Sequence, residues 1–368
     1  MKTFRCQCGN RVFFLNSRCV SCNRELGYFP RLGRMGALEA AGPQLWTATG
    51  ITPPGNLYRK CNHYEVEGVC NWMVEAEDPE PFCWSCRLNN VIPDLSRPRH
   101  REYWYKIECA KRYMLYGLYQ LRLPVASKKH DPAHGLAFTF LAGSDSVTEF
   151  NDIIHGQDTV LTGHNNGVIT INLAEADEVA RARMREQLQE RYRTLLGHFR
   201  HEIGHHYWDR LVRDAPETLA HFRQLFGDER RDYQGALQLH YQNGPPLGWE
   251  MHYLSSYASM HPWEDWAECW AHYMHMIDTL ETAHEFGLSS ADLEKSGSGL
   301  ADAWLHSVRT DFSQLLDRWV QLTVALNAIS HSMGLPDAYP FVLPPSAEHK
   351  LEFIHRLITR SSSLSELT

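Results

Sequence analysis

The chain has no run of 18 apolar residues, which excludes a helix built to span a bilayer. Residues 1–25 carry no apolar core of a secretory signal, so a reducing cytoplasm is the expected location. There is no low-complexity run, and no internal repeat beyond two cysteine quartets. Charge of one sign is also lacking: 36 Lys and Arg stand against 44 Asp and Glu, a net −8 over 368 residues. The composition is that of a soluble globular protein, long enough for one large core and small modules.

The ten cysteines sort by spacing. Cys6-x-Cys8 and Cys19-x2-Cys22 are two close pairs, and thiolates in paired knuckles match tetrahedral structural zinc. This is the pattern of a four-cysteine zinc ribbon. Cys61, Cys70, Cys83 and Cys86 form a second quartet. Its Cys61-x8-Cys70 half is not a tight knuckle, and His63 is available to replace one thiolate. Disulfides of an exported chain and iron in a rubredoxin-like site are the alternatives. The missing signal core argues against the first. Cys109 and Cys269 fall in helical patterns, where a free Cys acts as a small apolar residue. Residues 1–34 hold seven basic side chains and one acid, 7 − 1 = +6, less about 2 for a zinc held by four thiolates. Against the overall −8 this asymmetry admits an acidic partner such as nucleic acid. A merely solvated ribbon surface is the plainer reading.

His201-Glu202-Ile203-Gly204-His205 is the most informative stretch. Met184, Leu188, Tyr192, Leu195, Phe199, Ile203, Tyr207 and Leu211 recur at three or four residues, so a single helix is expected from near Glu175 to Leu211. The face opposite its second half holds His198, His201, Glu202, His205 and Asp209. Residues four apart share a helix face, so His201 and His205 can grip one Zn²⁺, and Glu202 is placed to act on a zinc-activated water. The alternative is a hydrogen-bonded histidine pair at a polar interface. Gly197 marks a kink or a close approach of another backbone.

A catalytic zinc has three protein ligands and one open position. The extension H-E-x-x-H-x-x-G-x-x-H is absent, because Trp208 and Leu211 occupy the Gly and His places. The best source of the third ligand is 261–270. Pro262 suits a first helical turn with Ser259 or His261 as cap. Glu264, Glu268, His272 and His275 then share a face, with Trp266, Trp270, Tyr273 and Ile277 as apolar surface. Glu264 is the expected ligand, and Glu268 the acceptor that fixes a histidine tautomer. The two roles are exchangeable, and Asp265, Asp209 and His261 are weaker candidates.

Tyr257, Glu264 and Glu268, in the form Y-x6-E-x-x-A-E, resemble the second half of the anthrax lethal factor peptidase site. That resemblance implies a zinc ligand at Glu264 and a hydrogen bond from Tyr257 to a developing oxyanion. More widely, the chain resembles a family of bacterial zinc-dependent metallopeptidases with an N-terminal zinc ribbon. The residues that carry this are the cysteine-rich start, 162–172, 192–202, Pro262 to Glu268, and 337–342. The expected fold is α+β: a mainly helical zincin-like metallopeptidase domain at 96–368, after a ribbon at 1–30, a surface connector at 31–57 and a second four-cysteine zinc module at 58–95.

Helices are expected at 99–121, from Leu300 to Ile329 and near 347–358, and strands at 136–141, 159–161 and 168–173. The strand before the metal helix lines the cleft in zincins, which assigns substrate pairing to Gly167, Val168, Ile169 and Thr170. The activity expected is hydrolysis of a peptide or isopeptide bond in a protein or peptide substrate, with Glu202 as base and Tyr257, helped by a histidine such as His261, at the oxyanion. No G-x-M-E-N signature appears, which leans toward an endopeptidase or a dedicated processing enzyme. Two other readings stand beside it. One is a nucleic-acid-associated protease targeted by its ribbon, although DNA–protein crosslink proteases place the ribbon after the catalytic domain and use a third histidine. The other is a non-catalytic, zinc-stabilised binding module.

Overall fold

The computed structural model of the chain describes residues 2–142, 162–187, 194–288 and 311–364. It divides into two compact units: Met1–Leu115, Ala126–Thr162 and Val168–Glu178 in the first, Tyr116–Val125, Gly163–Gly167 and Val179–Thr368 in the second. No helix among the described residues is long and apolar enough to cross a membrane.

The first unit opens with β1 (Phe4–Arg5) antiparallel to β2 (Arg11–Val12), then β3 (Leu26–Phe29) antiparallel to β4 (Arg34–Ala37). A four-stranded antiparallel meander follows, from β5 (Glu39–Gly42) and β6 (Leu45–Thr47) to β7 (Tyr58–Lys60) and β8 (Met73–Glu75). The short α1 (Asn62–Glu65) lies between the last two strands. Residues 31–57 are therefore not a surface connector. They supply β4, β5 and β6, and Leu38 and Ala48 join Phe29, Tyr58 and Met73 in one buried cluster. Met35, Ala37, Leu38 and Ala48 of this stretch are buried. The Tyr28 N–H donates to Asn71 O, so the two cysteine modules share a core instead of standing apart.

All ten cysteines are unbridged. Within each quartet the four sulfurs lie within 4.8 Å of one another. Cys6 and Cys22 are 3.6 Å apart, Cys8 and Cys19 3.7 Å, and Cys70 and Cys83 3.8 Å. A disulfide needs about 2 Å. A tetrahedral zinc with Zn–S near 2.3 Å sets sulfurs about 3.8 Å apart, which is the spacing found. His63 does not replace a thiolate. Its ring is buried against Phe82 and Trp104, at centroid distances of 4.5 and 4.9 Å.

The helix α2 (His100–Gln120) carries Arg112, which is fully buried. Its guanidinium donates to Val69 O at 2.5 Å, next to Cys70. Burial works against its charge, but Cys70, Cys109, Glu108 and Cys86 outweigh that and hold it protonated. A tetrathiolate zinc carries two negative charges, so this cation offsets part of a charge that burial would otherwise penalise.

Three parallel strands complete the first unit in the order β9 (Asn89–Val91), β10 (Ala137–Leu141) and β12 (Val168–Asn172), while β11 (Gly163–Asn165) belongs to the second. The strand expected at 159–161 lies outside the described residues.

Helices follow: α3 (Glu178–Gln187), α4 (Leu195–Leu211), α5 (Pro216–Phe226), α6 (Tyr233–Asn243), α7 (Pro262–Glu285), α8 (Phe312–Ser332) and α9 (Pro345–Leu364). The single helix expected from Glu175 to Leu211 is instead α3 and α4. Thr194 is extended (φ −124°, ψ 152°), and its hydroxyl accepts from the Gly197 N–H, which starts a new helix. Gly197 is thus a first-turn residue and not a mid-helix kink. In α8, Leu315, Trp319 and Leu322 are buried as the periodicity requires, but Ile329 is exposed. Leu300, Trp304 and Val308 of the same expected seam lie outside the described residues.

Cys83→Ser is expected to release one zinc per chain and to open β7, α1 and β8 together, read as lost amide-exchange protection. Unchanged zinc content would contradict the assignment of this quartet.

Candidate metal centre

The metal motif sits on α4, whose Leu195, Phe199, Ile203 and Tyr207 are buried. The helix meets α7 at Gly204. A Cβ there would lie 3.1 Å from the Cα of Ala267 and 3.0 Å from the Cβ of Trp270. Glycine is what allows this approach, the role that the sequence had offered to Gly197. The Trp266 Nε1–H donates to Gly204 O at 2.8 Å, and Tyr207 stacks on Trp270 at 4.9 Å and 13°. Truncating an aromatic side chain buried this completely costs about 3–5 kcal/mol.

His261 starts α7. It is extended, and its Nδ1 accepts from the Trp263 N–H at 3.1 Å, with Pro262 in the first turn. An accepting Nδ1 leaves the proton on Nε2, which donates to Arg231 O at 3.2 Å. Both nitrogens are therefore engaged, so His261 is a cap and is free neither to bind metal nor to meet an oxyanion. Further along α7, Asp265 pairs with Lys350 of α9 at 2.6 Å, Glu281 accepts from the Tyr116 hydroxyl, and Asp278 pairs with Arg200 of α4. His272 Nδ1 lies 2.7 Å from the Tyr339 hydroxyl. Asp209 is taken by Arg213 at 3.0 Å. These contacts leave Asp265 and Asp209 as structural acids.

Between the helices, one ligand atom each of His201, His205 and Glu264 lies within 4.8 Å of the other two, a grouping that can hold a metal ion. His201 Nε2 is 2.9 Å from Glu264 Oε2, and His205 Nε2 is 3.5 Å from Oε1. On the far side of the His201 ring, Nδ1 is 2.8 Å from Glu268 Oε1. A proton on Nδ1 shared with Glu268 leaves Nε2 for an ion. The donor set, two imidazoles and one carboxylate, is the chemistry zinc accepts at an open site. Burial opposes the charge of Glu264, but His205 and His201 outweigh it and hold the carboxyl well below the usual range. Burial likewise opposes ionisation of Glu268, and His201 and His272 bring it down to about 2. His201, between the two carboxylates, is raised well above the ordinary histidine value although burial pulls the other way.

Glu202 is buried on the same helix. Tyr257 sits in a short turn (Tyr257–Ser259) with its ring 6.1 Å from that of His201. Burial and the nearby Glu264 push its pKa well up, so it is a neutral O–H donor.

Two neighbours were not read from the sequence. Trp263 lies over His205 at 3.9 Å, and the Tyr233 hydroxyl donates to Glu264 Oε1 at 2.9 Å. Asp232, which accepts from the Gly235 N–H as the cap of α6, is the one sequence signal that would have placed Tyr233 at a helix start. Of the residues expected to pair with substrate, Gly167 lies in the second unit, while Val168, Ile169 and Thr170 lie in β12 of the first, with Ile169 fully buried. The extended segment beside the centre in its own unit is β11, whose His164 ring is 6.1 Å from that of His205.

Gly204→Val is expected to lower stability by about 1–3 kcal/mol, measured by denaturant unfolding, because the backbone of α7 cannot yield as a flexible side chain would. Glu268→Gln is expected to weaken zinc binding here about 10–100-fold. Zinc needs a neutral His201, and the proton that the carboxylates hold there competes with the ion. Affinity should therefore fall as pH drops from about 8 to about 6, with proton release on loading seen by calorimetry. A pH-independent affinity with no proton release would contradict that competition.

The comparisons with known proteins place the chain in a family. The family described as "Putative zinc-binding metallo-peptidase" matches residues 100–357, and a zinc-ribbon domain matches 3–97. Proteins designated uncharacterised in Mycobacterium tuberculosis (strain H37Rv) and Mycobacterium bovis are each 39% identical over 359 residues, covering 97% of this chain and 95% of theirs. No solved structure matches the chain. With cysteine quartets spaced for structural zinc at one end and an imidazole–carboxylate cluster between two helices at the other, the chain belongs to this zinc-binding metallopeptidase family.

Proposed function

We propose that the protein hydrolyses a peptide or isopeptide bond in a protein or peptide substrate, with Zn²⁺ held by His201, His205 and Glu264. The observation that carries this is the convergence of those three side chains, from helices about sixty residues apart, beside a buried Glu202. A zinc ion bound there supplies a water acidified to a pKa of about 7 and a Lewis acid for the scissile carbonyl. Glu202 accepts the proton of the attacking water and returns it to the leaving amine. Glu268 keeps the Nδ1 proton of His201 in place, so that Nε2 stays a lone-pair donor.

Tyr257, neutral through burial, donates a hydrogen bond to the carbonyl oxygen as charge develops there. Trp263 over His205 limits access on one side of the ring. The main chain of β11, in the same unit as the two helices, offers extended backbone groups for a substrate, with Gly167 at its turn.

Glu202→Gln should retain zinc and fold while lowering turnover of a quenched fluorescent peptide pool at least about 10²–10⁴-fold. Cleavage by this variant at the wild-type rate would remove Glu202 from the mechanism.

A further inference from the structure

The helix α6 buries none of its residues. It has 11 residues, a length at which an isolated helix is marginal in water. Its residues are at most half-buried, so packing holds it only weakly. What ties it to the protein at its start is Tyr233. Its hydroxyl donates to Glu264 Oε1 at 2.9 Å, and its ring lies 5.2 Å from that of His261. The His240 ring, two turns along α6, lies 5.9 Å from that of Tyr257. A hydrogen bond thus joins the start of α6 to a carboxylate of the candidate centre.

We infer that Tyr233 is a positioning residue with two linked effects. It holds one oxygen of Glu264, which leaves Oε2, the oxygen facing His201, for an ion. The same bond docks α6 beside the centre. A carboxylate free to rotate would present either oxygen to the ion, and the ordering cost would come out of metal affinity; a phenol proton on Oε1 removes that freedom before the ion arrives. Zinc affinity and the placement of α6 are therefore coupled. The inference rests on the reading of His201, His205 and Glu264 as ligands.

The test uses the full chain loaded with Zn²⁺ and titrated with a chromophoric chelator, for the wild type, Tyr233→Phe and Tyr257→Phe. Phe keeps the ring contacts and removes only the hydroxyl. Tyr233→Phe should leave the cysteine-bound zinc untouched and raise the dissociation constant of the remaining ion about 10–100-fold. Amide exchange across 234–243 should quicken in parallel. Tyr257→Phe should bind zinc within about twofold of wild type, since its hydroxyl does not touch Glu264. Wild-type affinity in Tyr233→Phe would overturn the inference while leaving the metal reading standing. Weakened zinc with unchanged exchange in α6 would overturn the coupling. A wild-type chain that takes up no zinc outside its cysteine quartets would sink the metal reading itself, and the inference with it.

Discussion

The centre depends on how closely α4 and α7 approach one another. The two helices meet backbone to backbone at Gly204, where even one methyl group would crowd Ala267 and Trp270. That contact places Glu264 and Glu268 opposite His201, one turn away from the glycine. A small displacement would separate the donor atoms proposed to share a single ion, and coordination distances tolerate only tenths of an ångström. The buried tryptophans of α7 and the indole bond to Gly204 O hold the spacing, so the metal geometry is a consequence of aromatic packing.

The polar groups around α7 divide into two kinds. Asp265, Asp278 and Glu281 face cations or a phenol on other elements and fix the helix in place. Glu264 and Glu268 face imidazoles and serve the centre. All five are buried or nearly so, and a buried carboxylate without a partner would cost several kcal/mol. The sequence ranked Glu264 and Glu268 above Asp265 by helical face, but it gave no facing partner for Asp265, Asp278 or Glu281. What distinguishes them is the identity of the facing group.

Other parts were legible at the level of the residues. The H-E-x-x-H spacing and the second acidic helix were readable because helical periodicity fixes which side chains share a face, and the cysteine pairs because thiolate knuckles have few other uses. What escaped reading was set by tertiary context. Thr194 begins a new helix in what looked like a continuous stripe, since a capping hydroxyl overrides periodicity locally. The Pro- and Gly-rich stretch 31–57 builds strands, and its Leu38 and Ala48 enter a core with Phe29, Tyr58 and Met73. His261 is the cap that the sequence offered, but its other offered roles, as ligand or oxyanion partner, fall because both its nitrogens are spent on backbone. Tyr233 reaches Glu264 across thirty-one residues from a half-buried helix, and the Asp232 cap marks only the start of that helix, not the contact.

The most direct test of the central claim is anomalous scattering at the zinc edge from crystals of the fully loaded chain. The account predicts three ions. Two are each held by four sulfurs, and the third by the Nε2 atoms of His201 and His205 with a carboxylate oxygen of Glu264. Absence of the third ion, or its binding without Glu264, would contradict it.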